Sequence, residues 1–426
     1  MELVTKRVVW DGPAAHTLCP RAENRMEGRE PMSRLLTRRS VRDALLGVAL
    51  VLAAVSLVVW PQQSMEAAST GLGLCANVII PSLFPFFVLS GLVVELGLAG
   101  YVGRALEGIM VPLFRVPGSC ASALALGFIG GYPVGARTAI GLYESGLCSK
   151  TEAERLLAFC NNSGPAFILG VVGAGVFCDS RAGVLLYLAH ALASVCVGLV
   201  FRFYRGGEGN GSVGRSPRVP IRARRLSTAF TDTVKTAFLS TLNICAFVIF
   251  FTVVIRMLTA SGILPALAKG LGVLLAPFGM TEEWGRRLLT GLLEISSGVW
   301  SLTGEGSLGG RLSMAAFMLG WAGISVHCQV LSFLGDSGLS VGAYLTGKLL
   351  HAGLSALLTG VLVGIFPLEE PVSVYLTEQV ESIAAMDFTT ALTVSAVCAW
   401  AVWLGFFVLA VLCLKKCSGN TAKHRV

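Results

Sequence analysis

Apolar stretches of about twenty residues recur along almost the whole chain, and twenty residues is the length an α-helix needs to cross a bilayer. Nothing else in the sequence constrains the fold as strongly. Inside lipid every backbone N–H and C=O must be satisfied within the protein, and a helix does this within its own segment. The composition agrees: 54% of the 426 residues are hydrophobic, 14% are charged and the mean hydropathy is +0.73, where soluble domains carry roughly 25% charged residues. The class expected is an all-α polytopic membrane protein.

The net charge of +8 does not call for a nucleic-acid partner. The arginines crowd into the N-terminal arm and one internal loop, where they flank spans and set topology. The twelve cysteines are scattered, mostly in apolar segments and without a CxxC pair, and read as small buried hydrophobes. Cys413 and Cys417 flank two lysines after the last apolar segment, a setting in which acylation is chemically feasible. Residues 1–40 are polar, arginine-rich and without hydrophobic periodicity, so no fold is expected of the arm; Met32 would serve as an independent start. The apolar run that follows, from about Ala44 to Trp60, is too long for a signal peptide and lacks a small-residue cleavage site.

Comparison of the chain with itself brings out a duplication. "NVIIPSLFPFFVLSGLVVELG" from Asn77 pairs with "NICAFVIFFTVVIRMLTASG" from Asn243, and the segments that follow align Gly97 with Gly262, Arg104 with Lys269 and Pro112 with Pro277. "GFIGGYPVGARTAI" then meets "GLLEISSGVWSLT", "ERLLAFCNNSGPAF" meets "GRLSMAAFMLGWAGISV", and "HALAS" at His190 meets "HAGLS" at His351. Each match alone is weak between apolar segments; five in the same order make a repeat.

Charge asymmetry orients the two copies. The arm before Ala44, the connection with seven arginines from Arg202 to Arg225 and the tail after Leu414 are basic and belong inside; Pro61–Ala76 and Pro367–Asp387 carry no Lys or Arg and belong outside. Copy one then runs from outside to inside and copy two the other way. The organisation expected is a basic arm over 1–40, a first transmembrane helix over 41–70, repeat one over 71–205, a cytoplasmic basic linker over 206–230, an inverted repeat two over 231–366, an external loop over 367–388, a C-terminal transmembrane helix over 389–414 and a basic tail over 415–426.

Helix breakers sit inside both copies, at "GFIGGYPVGA" and "NNSGP" in the first and at "LLEISSG" and "GWAGISVHCQ" in the second. Broken or re-entrant backbone is tolerated at membrane depth only where it is buried in protein or lines a watery cavity. Inverted repeats with interrupted helices describe secondary transporters, whose solute site lies near the midplane where the breaks meet.

The segments "IIPSLFPFFVLS", "GFIGGYPVGAR", "ERLLAFCNNSGPAFILG" and "GWAGISVHCQVLSFL" resemble the YlbJ family of sporulation integral membrane proteins, whose two halves carry the nucleoside-recognition (Gate) domain. The likeness covers roughly Arg42 to Phe366. It implies two inverted Gate-type repeats with a fold like that of concentrative nucleoside transporters. It also implies a role in moving dipicolinic acid from the mother cell across the outer forespore membrane.

Candidate site residues follow from polarity beside the breaks. Glu294 is an ionisable group within an apolar run, which is costly at bilayer depth and faces a cavity or partner, unless it sits at a helix end and reaches interface water. Asn161, Asn162 and Ser163 precede Pro165 and offer donors and acceptors at a break, or hydrogen bonds between helices; Ser296 and Ser297 hold the matching place in copy two. Arg137 suits a forked pairing with a carboxylate, or an anchor at the inner interface. Tyr132 can stack on an aromatic solute or serve as packing. His327 and Gln329 follow the last break, where a histidine is as readily a structural hydrogen-bonding group as a ligand. Lys348 could counter Glu294, and the two "HAxxS" histidines are explained by helix packing.

No catalytic motif is present. "GEGSLG" at 304–309 matches GxGxxG without the strand and helix that would give it meaning, and "NGS" at Asn210 is a glycosylation sequon on the side the arginines make cytoplasmic. The expectation is therefore no enzyme, no catalytic residue, no cofactor and no metal site, with a small-molecule substrate and membrane lipid as partners. Self-association into a homo-oligomer is left open. Dipicolinate needs cationic or helix-dipole partners, a nucleoside needs partners for ribose hydroxyls, and the chain offers both sets. A non-transporting assembly factor is the alternative from another class, and costly polarity at the breaks speaks against it.

Overall fold

The computed structural model describes residues 38–96, 98–206, 225–304, 306–335 and 337–368, together with 393, 396–397 and 400–404. The arm before Arg38, most of the arginine-rich linker with Asn210, the external loop, most of the C-terminal helix, and the tail with Cys413 and Cys417 lie outside them. By internal contacts the chain divides between Val55 and Ser56. Helix α1 (Arg38–Val59) begins in the first unit, and its leucines and valines from Leu45 to Leu52 are exposed, as an apolar surface facing lipid would be.

One expectation for the next stretch needs correction. The first helix does not run to residue 70: it stops before Trp60, and a second helix, α2 (Pro61–Leu74), starts with proline in its first turn, where the missing N–H costs nothing. Pro61–Ala76, which the charge pattern puts outside, is helical. Helix α2 continues through a π-type turn (Cys75–Ile79) into α3 (Ile80–Glu95), and Pro61–Leu89 is apolar and long enough to span. The reason is packing by small residues. Ala67 and Gly71 are buried, and a Cβ on Gly71 would meet the Ile249 Cα at 3.1 Å. A stretch without lysine or arginine satisfies the charge rule equally as helix or as loop.

The first repeat continues with α4 (Leu98–Ile109), α5 (Ala121–Gly130), α6 (Val134–Glu144), α7 (Lys150–Cys160), a π-type helix (Ala166–Val176) and α8 (Ser180–Phe201). Ser149 begins α7 with a full capping box, its hydroxyl on the Glu152 N–H and the Glu152 carboxylate on its own N–H. The second repeat runs α9 (Leu226–Ala260), α10 (Ile263–Leu274), α11 (Glu282–Leu293), α12 (Ile295–Trp300), α13 (Leu308–Trp321), α14 (Gly323–Leu334) and α15 (Val341–Ile365). The two series correspond in order: α3 with α9, α4 with α10, α5–α6 with α11–α12, α7 and the π-type helix with α13–α14, and α8 with α15. Among the described residues five helical segments are long and apolar enough to cross a membrane, or six if the pair bent by 115° around residues 115–117 counts as one.

The packing has the reciprocity of a two-fold axis. Helix α7 touches α15 while α13 touches α8; the π-type helix touches α12 while α14 touches α6; and the equivalents α8 and α15 touch each other. The last two are antiparallel. The Glu154 carboxylate accepts from the Tyr204 hydroxyl (3.1 Å), just past the end of α8, and from the Ser340 N–H (3.0 Å), at the start of α15, while His190 and His351 meet partway along both helices. Equivalent spans that lie antiparallel are related by an axis across their length, and so in the membrane plane. The fold is thus an all-α polytopic membrane bundle of two inverted repeats with broken helices.

Candidate functional site

Each repeat places its two breaks against one another. In the first, α5 ends at Gly131 with φ 70°, a conformation open to glycine, and a Cβ there would lie 2.9 Å from the Gly164 nitrogen. Gly164 belongs to the 161–165 interruption between α7 and the π-type helix. In the second, α13 ends at Ala322 (φ 80°), and Gly323, also at φ 80°, presses on the other break so closely that a Cβ would meet the Ile295 nitrogen at 3.0 Å. All four interruptions fall where the sequence placed its helix breakers.

Glu294 is the whole interruption between α11 and α12. Its backbone is extended (φ −144°, ψ 123°), and its carboxylate turns back to accept the N–H groups of Ser296 (2.9 Å) and Ser297 (2.6 Å). An anionic cap on the free N–H groups of a helix start satisfies donors that lipid could not. The residue is buried, so the reading in which it reaches interface water does not hold.

A cavity opens between the breaks. Its polar lining is Tyr132, Ser163, Glu294, Ser296, Ser325 and Gln329; Phe86, Phe87, Phe167 and Phe247 supply aromatic walls, and Gly130, Gly131 and Gly164 bring backbone to its surface. The Ser163 hydroxyl is buried without a hydrogen-bond partner, which leaves about 1–3 kcal/mol to be recovered by whatever occupies the space. Its N–H is already held by His190 Nε2 at 3.0 Å.

Five of the ten expected residues therefore come together: Tyr132, Ser163, Glu294, Ser296 and Gln329. The others are close by but otherwise engaged. Asn161 donates to the Tyr344 hydroxyl (3.3 Å), and Asn162 to the Phe159 carbonyl (3.0 Å) and the Ser194 hydroxyl (3.2 Å). Ser297 sits 3.4 Å from the Thr252 hydroxyl. His327 Nδ1 meets the Tyr344 hydroxyl at 3.0 Å, with its ring edge to face on Trp321. Arg137 is exposed and holds its guanidinium 5.6 Å from the Phe333 ring centroid, outside the cavity lining.

Helix geometry explains the split on α14. Ser325 and Gln329 are one turn apart and share a face, whereas His327, two residues along, points to the far side. Ser325 was missed by sequence reasoning, as were the phenylalanines. The serine's i, i+4 spacing to Gln329 was the available signal. Lys348 does not meet Glu294: its ammonium donates to the Tyr132 hydroxyl (3.2 Å) and the Asn161 carbonyl (3.1 Å).

Comparison with known proteins adds three likenesses. The family described as nucleoside recognition (Gate) matches residues 76–203. The sporulation integral membrane protein YlbJ of Bacillus subtilis is 33% identical over 317 residues, covering 70% of this chain and 76% of that protein. Among solved structures, CNTnw in an inward-facing substrate-bound state is 14% identical with a TM-score of 0.51, covering 78% of this chain and 88% of its own. A CNTnw variant in an intermediate 2 state reaches a TM-score of 0.53 at 13% identity, over 79% and 88%. At such identities the likeness is one of fold.

Proposed function

Because the chain belongs to the family of the sporulation integral membrane protein YlbJ, we propose that it is a membrane transporter of a small anionic aromatic solute, dipicolinic acid, working at the outer forespore membrane to move it from the mother cell toward the forespore. The observation that carries the transport reading is the cavity shared by all four breaks, with a buried hydroxyl on Ser163 that has no partner. Interrupted helices facing one shared cavity are what a solute site at membrane depth requires.

The choice of solute rests on complementarity. Aromatic walls from Phe86, Phe87, Phe167 and Phe247 suit a flat ring. Ser163, Ser325 and Gln329 supply donors for carboxylate oxygens, and the Lys348 ammonium stands one residue behind the lining, on Tyr132. A second reading, nucleoside transport, is favoured by one feature: the Glu294 carboxylate at the cavity is an acceptor of the kind ribose hydroxyls use. Vesicles containing only this protein separate the two. Labelled dipicolinate should accumulate and compete with itself, while labelled uridine should not enter above empty vesicles. Uridine uptake without dipicolinate uptake reverses the assignment, and uptake of neither removes the transport reading.

A further inference from the structure

Lys348 lies on α15 in the second repeat, is buried, and has no carboxylate partner among the described residues. Its ammonium reaches across to the first repeat and joins that repeat's two breaks. One hydrogen bond goes to the carbonyl of Asn161, where α7 ends; the other goes to the hydroxyl of Tyr132, at the tip between α5 and α6. The same ammonium lies 4.9 Å from the Tyr132 ring centroid, within cation–π reach. The groups that feel its charge are Cys160 on α7, His190 on α8, His327 on α14 and His351 on its own helix; none is an acid of the carboxylate class.

The unwound carbonyl at the C-terminal end of a half-helix carries partial negative charge, and in transporters built on broken helices such carbonyls hold the coupling cation. Here the place is taken by a cation on a covalent tether. We propose that Lys348 is a resident cation that occupies the first-repeat break in place of an exchangeable metal ion, so that the site is assembled without sodium. The position equivalent to Lys348, three residues before His190, is Tyr187, so the tether exists on one side of the two-fold axis only. Tyr132 connects the two sites. Its ring lines the cavity, while its hydroxyl accepts from Lys348 and donates to the Leu319 carbonyl at 2.6 Å. A solute pressing on the Tyr132 ring therefore acts on Lys348, whose ammonium favours an anionic solute.

This deepens the transport reading and rests on it, yet its test needs no solute. Thermal unfolding of the purified full-length protein is followed in sodium chloride and in choline chloride at equal ionic strength. The wild type should unfold at the same temperature in both. Lys348→Ala leaves the Asn161 carbonyl and Tyr132 hydroxyl facing a vacated cation site, and methylammonium should raise its midpoint by about 2–4 °C; Lys348→Met, which refills the space without charge, should gain nothing. Sodium-specific stabilisation of the wild type would overturn the proposal, and that measurement needs no variant to fold. A Lys348→Met protein as stable as wild type in choline would overturn it too. Failure of dipicolinate uptake leaves these melts untouched, so the two readings fail separately.

Discussion

The imidazoles of His190 and His351 lie with ring centroids 4.3 Å apart, and the two residues hold the same place in the two repeats. A residue that touches its own equivalent sits on the axis relating them. The pair is buried, with the Ser163 N–H on His190 Nε2 and His351 Nε2 donating to the His190 carbonyl. A bond accepted at Nε2 puts the proton of neutral His190 on Nδ1, while His351 carries one on Nε2. The repeat is symmetric in backbone and asymmetric in hydrogen bonding: His190 Nε2 takes the Ser163 N–H, whereas His351 Nε2 turns to the His190 carbonyl.

The first prediction concerns this contact. His190→Ala leaves the Ser163 N–H buried and unpaired and should cost about 1–3 kcal/mol. His351→Ala should cost less, since it removes a donor from a carbonyl. A double-mutant cycle on unfolding should give a coupling of about 0.5–1.5 kcal/mol. Additive effects would mean that the rings do not meet.

Gly131→Ala is the sharpest test of the paired breaks. The new methyl group enters a positive-φ residue and meets the Gly164 nitrogen at 2.9 Å. The strain should be on the order of 1–3 kcal/mol, with solute binding lost alongside. Gly141→Ala, on α6 with open space around it, should be neutral in the same assay.

Glu294→Gln keeps the shape but only one acceptor oxygen for two N–H donors, so its amide group faces the Ser296 or Ser297 N–H. A loss of about 1–2 kcal/mol of stability is expected, less than a buried ionic group would lose if it were paired to a lysine. Binding or uptake should change by more than the stability loss explains. Unfolding unaffected by the substitution would contradict the capping role.

Much of this arrangement was legible before the structure. Breaks in membrane helices need glycine, proline or polar caps, and those residues mark all four sites. The order of the repeat was carried by asparagine, proline and histidine at matching offsets. What the sequence left open is which way each polar group faces. Asn161, Asn162 and His327 are as polar as Gln329, but each has a partner (Tyr344 for the first and last, Phe159 and Ser194 for Asn162) that turns it from the cavity. Such partners sit up to 183 residues away, beyond the reach of spacing arguments. The end of α1 before Trp60 was hidden for another reason: the run to residue 70 reads as one helix, whereas Pro61 opens a second.

The most direct test of a solute site between the four breaks is saturable binding of labelled dipicolinate to purified protein carrying changes inside and outside the cavity. Ser163→Ala combined with Gln329→Ala removes two lining groups and should weaken binding by roughly 10-fold to 100-fold, at about 1 kcal/mol or more for each hydrogen bond. Arg137→Ala, which alters an exposed side chain over Phe333, should leave the affinity within about twofold. Binding lost with Arg137→Ala and kept in the double variant would place the solute elsewhere and contradict the account.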